Sequence, residues 1–78
     1  MNIVVYTKSG CPNCVTAKRL LDSKGIGYGA FDIDEYPVSF EAMLKIHPEA
    51  RQMPQIFINN QRVGGLAGLQ AALKELGL

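Results

Sequence analysis

The 78-residue sequence predicts one α/β domain over residues 1–78, a four-stranded mixed sheet with helices on both faces. Three observations lead there. Ile3 to Tyr6 is β-branched or aromatic at every position, as in a strand covered on both faces. A helical pattern opened by a proline follows it, and a second strand comes next, which makes a right-handed βαβ crossover. The last third carries two short strands joined by an asparagine turn and then an amphipathic helix, completing the order βαβαββα.

The elements follow in turn. After the first strand, Lys8-Ser9-Gly10 forms a loop and Pro12 opens a helix, where its missing N–H costs nothing. Val15, Ala17, Leu20 and Leu21 supply that helix's apolar positions, and Gly25 sits where a C-terminal cap belongs. Tyr28 to Ile33 is the second strand, entered through Gly27 and interrupted by Gly29. Phe40, Met43, Leu44 and His47 fall at helical spacing between Pro37 and Pro48. Gln55 to Ile58 is the third strand, and Asn59-Asn60-Gln61 turns the chain into a fourth around Arg62-Val63. Gly64-Gly65 then opens a helix whose core stripe is Leu66, Leu69, Leu73 and Leu76. The first two strands should be parallel and the last two an antiparallel hairpin.

Composition narrows the function. A net charge of +1, from scattered basic residues without an aromatic platform, argues against a nucleic-acid partner. The apolar run near Met1 is too short for a signal peptide or a membrane span, so a cytoplasmic protein is expected. In a reducing compartment a close cysteine pair is catalytic or metal-binding. Cys11 and Cys14 close too small a loop to serve as a staple. A structural zinc site takes four ligands, and the chain offers only these two cysteines and His47, so no metal site is expected.

Position gives the pair its chemistry. A Cys-x-x-Cys directly after the first strand of a βαβ unit marks a thioredoxin-like redox site. A thiolate, not a thiol, attacks disulfides, and free cysteine has a pKa of about 8.5. Cys11 stands just before a helix, where unpaired N–H groups and the dipole favour an anion, and Lys8 adds a positive charge. Both pull the Cys11 thiol down. Intrinsic nucleophilicity falls with pKa along a Brønsted slope of about 0.4–0.5, which offsets most of the gain in thiolate fraction. The surviving advantage of Cys11 is as a leaving group. Cys14, one turn into the helix, should be less exposed.

Three blocks in order, Tyr6 to Cys14, Met53 to Ile58 and Gly64-Gly65, resemble the glutaredoxins over essentially the whole chain. The resemblance implies a thioredoxin-like fold with a cis bond before Pro54. It also implies a monomeric thiol–disulfide oxidoreductase that holds no bound cofactor and uses glutathione as reducing co-substrate. Cys11 would be the nucleophile and Cys14 the resolving thiol, with Pro12 and Asn13 setting the geometry between them. Glutathione would meet Lys8 with Arg51 or Gln52 at its glycine end, Met53 in the middle, and Gly65, Leu66 and the position of Ala67 at its γ-glutamyl end. Disulfide-containing proteins are the implied partners, a ribonucleotide reductase among the candidate targets.

The sequence departs from the family in two places. Asn13 stands where tyrosine is more common, which removes an aromatic ring beside the site. After Gly64-Gly65, the acid that glutaredoxins place at the position of Ala67 or Gly68 is missing. Two alternatives therefore stay open: a glutathione-independent reductase fed by thioredoxin reductase, and an iron–sulfur cluster carrier sharing a cluster through Cys11.

Overall fold

A computed structural model describes residues 1–78. The elements run β1 (Ile3–Thr7), α1 (Pro12–Ser23), β2 (Gly29–Asp32), α2 (Pro37–Ile46), β3 (Gln55–Ile58), β4 (Gln61–Gly64) and α3 (Leu66–Glu75). The strands lie in the order β2-β1-β3-β4, so β1 is interior. It pairs parallel to β2, with Val5 opposite Ala30, and antiparallel to β3, with Val5 opposite Ile56. The expected mixed sheet, parallel pair and C-terminal hairpin are all present. An interior strand has no bare edge, which is why β1 tolerates an unbroken β-branched and aromatic run.

Alternation along the strands separates two cores. Ile3 and Val5 of β1 with Ile56 and Ile58 of β3 face Ala17 and Leu21 of α1 and Leu69 and Leu73 of α3. On the other face, half-buried Tyr6 and Phe57 pack with Phe40, Met43 and Leu44 of α2. Cys11, Cys14, Ala50 and Met53 extend that second core to the end of the sheet where α1 begins. No helix is long and apolar enough to cross a membrane.

Two apolar expectations are corrected. Val15 is 44% exposed, because the buried stripe of α1 is Cys14, Ala17 and Leu21, spaced i, i+3, i+7. The stripe begins on the second cysteine, and Val15 lies one residue out of phase. Leu76 is 53% exposed because α3 ends at Glu75 and Leu76 is its cap. The second strand is shorter than expected, and Gly29 lies within it opposite Val4.

The hairpin turns on Asn59 and Asn60, with φ of 51° and 69°. Two successive left-handed residues make the turn that matches strand twist, and asparagine tolerates that conformation. A register shift opposite Ile56 and Phe57 follows on β4, and Gly64 leaves the strand at φ 98°. The chain then enters α3 so closely that a Cβ on Gly68 would run into the Val63 carbonyl, 2.8 Å from its carbon and nearer still to its oxygen. No side chain fits at 68, an acid included. That half of the missing-acid departure is a packing requirement.

Gly68→Ala is expected to destabilise the fold by about 1–3 kcal/mol through overpacking. Urea unfolding checks it as a lower midpoint at unchanged slope. In an unobstructed helix the same change stabilises by about 0.8–1 kcal/mol. A raised midpoint would therefore contradict the tight seat of α3 on β4.

Candidate functional site

The site is built where β1 delivers the chain to α1. Gly10, at φ 71°, makes the turn that ordinary side chains resist, and Cys11 follows in extended geometry as the N-cap. Pro12 takes the first helical position. The Cys14 N–H donates to the Cys11 sulfur at 3.1 Å, so sulfur occupies the place usually held by a serine or aspartate oxygen. The first turn of α1 carries no acid to compete with charge on that sulfur. The helix start is arranged for an anion.

Cys11 and Cys14 are joined by a disulfide, with their Cα atoms 5.3 Å apart. Cys11 keeps 7% of its surface and Cys14 only 1%, the order expected from their places on the helix. Cys11 is the more accessible of the two. Beneath the pair lie Met43, Ala50 and Met53.

A second backbone stands beside that sulfur. The Met53–Pro54 bond is cis, as the resemblance implied, and the Met53 carbonyl oxygen is 3.5 Å from Cys11 Sγ. The Met53 N–H finds no acceptor in the chain. The loop carrying Met53 is tied locally: Ala50 N–H donates to the His47 carbonyl at 2.9 Å, and Gln55 Nε2 donates to the Gln52 carbonyl at 2.7 Å. An unpaired N–H next to an attackable sulfur can hold an extended substrate in strand-like pairing.

Two hollows flank the cysteine. One, of about 500 Å³, lies on the loop side and is lined by Lys8, Cys11, Pro12, Lys18 and Asp32. The other, of about 510 Å³, gathers Asn13, Arg51, Gln52, Met53, Pro54, Gly65 and Leu66. Lys8 thus lines a different hollow from Arg51 and Gln52, with which it was grouped. Ala67 is exposed on α3 and lines neither.

Sequence reasoning passed over four residues. Glu49 and Arg62 line the second hollow and pair at 3.2 Å. Lys18 and Asp32 line the first. Asp32 was findable, because it ends β2 opposite Thr7 and ligand sites gather at the carboxyl ends of parallel strands. His47, at the end of α2, is half-buried against the Phe57 ring at 5.5 Å and faces Glu49 at 3.7 Å.

A family model described as glutaredoxin matches residues 3–63. Glutaredoxin 3 of Escherichia coli is 41% identical over 70 residues, covering 90% of this chain and 83% of that protein. The chain belongs to the glutaredoxin family. It is accordingly a thiol–disulfide oxidoreductase with a redox-active cysteine pair. Two solved structures share its fold. A buckwheat glutaredoxin–glutathione complex matches at TM-score 0.77 and 25% identity, over 94% of this chain and 68% of that one. NrdH-redoxin from Escherichia coli, a glutaredoxin-like protein of thioredoxin-like activity profile, matches at 0.76 and 23%, over 91% and 93%. The family match ends at Val63, before Gly64-Gly65 and the acid-free start of α3.

Alkylation of the reduced protein with iodoacetamide across pH is expected to place the Cys11 thiol well below the free-cysteine value of about 8.5. Lys8→Ala should raise it only modestly, because an exposed lysine is screened while the helix start is fixed. A midpoint at the free value would remove the helix start as the source of activation.

Proposed function

We propose that the protein reduces glutathione mixed disulfides and protein disulfides with glutathione as electron source, through Cys11 as nucleophile and Cys14 as resolving thiol. The observation that carries this reading is the second hollow. Five of the seven residues expected to touch glutathione line it together, namely Arg51, Gln52, Met53, Gly65 and Leu66. Its volume suits a small ligand. Its N–H groups at Met53, Gly65 and Leu66 suit a peptide with a carboxylate at its end.

The chemistry is a sequence of exchanges. Cys11 thiolate attacks the glutathione sulfur of a mixed disulfide, and the expelled thiolate takes a proton from water. A second glutathione thiolate then attacks the same glutathione sulfur, forming oxidised glutathione and releasing Cys11. With a protein disulfide, Cys11 becomes bonded to the protein instead. Cys14 thiolate then attacks the Cys11 sulfur, the protein leaves with both sulfurs reduced, and the Cys11–Cys14 bridge remains. Two glutathione thiols restore the dithiol by forming one oxidised glutathione. We take the protein to act as a cytoplasmic monomer on such partners, a ribonucleotide reductase among them, and not on nucleic acid or membrane.

A second reading has one observation in its favour. The first turn of α3 carries no acid, and Gly68 admits none, so the amino group of glutathione has no partner there. A reductase fed by thioredoxin reductase would need none. The likenesses to the glutathione complex and to NrdH-redoxin are nearly equal, so overall fold does not choose between them.

Paired turnover assays decide, one with glutathione and its reductase, the other with thioredoxin reductase. Turnover is expected with the first, and turnover only with the second would sink the proposal. Cys11→Ser should abolish exchange altogether. Cys14→Ser should lose protein-disulfide reduction yet keep deglutathionylation, which needs only Cys11 and free glutathione. Equal loss in both assays for Cys14→Ser would contradict the division of labour.

A further inference from the structure

The second hollow holds an arginine that neither the hairpin nor the cysteine chemistry requires. Arg62 stands on β4 opposite Phe57, and its guanidinium is fixed from two sides. Its Nε–H donates to Gln55 Oε1 at 3.0 Å and its Nη1–H to Glu49 Oε1 at 3.2 Å. A guanidinium has five N–H donors, and the remaining three meet no acceptor in the chain. Glu49 is the only acid lining the hollow, and the oxygen that takes Arg62 also faces His47 Nδ1 at 3.7 Å. Two arginines, Arg51 and Arg62, against one glutamate give the lining a charge of +1. The first turn of α3 adds no acid, and Gly68 leaves no room for one.

We propose that Arg62 is a specificity-determining residue, and that the hollow selects thiol compounds whose end over Gly65 bears a carboxylate without a neighbouring ammonium. This rests on the reading that the hollow takes the γ-glutamyl end of glutathione, and it narrows that reading. A γ-glutamyl end is zwitterionic. Its carboxylate gains from Arg62 and from the free N–H groups of Gly65 and Leu66. Its ammonium meets the cation of Arg62 instead, and the one acid of the lining, Glu49, already takes that guanidinium. A ligand end with the carboxylate alone keeps the gain and avoids the repulsion. The preferred substrates are therefore mixed disulfides of acidic, amine-free thiols, with glutathione accepted but not favoured.

The test uses the reduced protein and three disulfides of one neutral cysteine peptide. The first carries glutathione, the second its glutaryl analogue lacking only the amino group, and the third neutral mercaptoethanol. In each, Cys11 thiolate attacks the small thiol's sulfur and expels the peptide thiolate, whose release gives the rate constant. The glutaryl disulfide is expected to react about two- to fivefold faster than the glutathione one at low salt, the scale of one exposed charge interaction. High salt should shrink that ratio towards one. Arg62→Gln should abolish the preference and Arg62→Lys should keep most of it. Ala67→Asp, which gives the ammonium a partner, should invert it. General damage to the fold would slow all three disulfides alike and leave the ratio in place, so the ratio reads recognition alone. A wild-type ratio of one or less, or a ratio unmoved by Arg62→Gln, overturns the proposal. If the neutral disulfide matches both anionic ones, the glutathione reading falls with it. If glutathione outruns both others, only the role given to Arg62 falls.

Discussion

The hydrogen bond from the Cys14 N–H to the Cys11 sulfur is the contact on which the site depends. It makes a sulfur the cap of α1, so charge on that sulfur and the first turn of the helix stabilise each other. The surrounding sequence serves this contact. The end of β1 fixes where the loop begins, Gly10 supplies the left-handed turn, and Pro12 starts the helix without losing a hydrogen bond. The same geometry carries Cys14 round to the buried stripe of α1, behind the sulfur that it attacks in the proposed mechanism. Of the two, Cys11 keeps the greater exposure and Cys14 is the more deeply buried, which favours an order of reaction that two equally exposed thiols would lack.

The two cores divide the task of holding the reacting parts. The helix that presents Cys11 is anchored by Ala17 and Leu21 in the core shared with α3. The backbone proposed to meet the substrate, around Met53, is anchored with Ala50 and Met43 in the core on the other face. The cysteines sit at the end of that second core, so the distance between Cys11 and the Met53 carbonyl is set by packing across the sheet. Neither the helix nor the loop could keep it alone. Packing on both faces of the sheet thus positions two backbones in so short a chain.

Much of this was legible in the sequence, for identifiable reasons. The unbroken run of β1, the proline and glycine that bound α1, and the asparagine turn are local signals, and each element lies where those signals put it, within about two residues. Val15 was misread because four apolar residues in α1 allow more than one phase, and only packing shows that Cys14, Ala17 and Leu21 form the stripe. The cysteine pair was plain from position. The division of Lys8 from Arg51 and Gln52 was not, because it depends on how the Met53 loop folds back beside α1. Arg62 and Glu49 were invisible for the same reason: thirteen residues apart, they meet only once β3 and β4 pair.

The acid-free start of α3 joins the fold to the charge of the second hollow. A register shift in β4 brings Val63 under the first turn of α3, and the helix approaches until only a glycine fits at position 68. The approach that seats α3 on the sheet also bars one of the two places where an acid could meet an ammonium. The other, Ala67, faces solvent and is free to vary. The same β4 presents Arg62 to the hollow from the opposite strand position to Phe57, between Gln55 and Glu49. The strand that excludes the acid therefore supplies the cation, and the charge of the hollow follows from how α3 and β4 pack. Any change restoring an acid at 68 would first have to lift the helix from the strand.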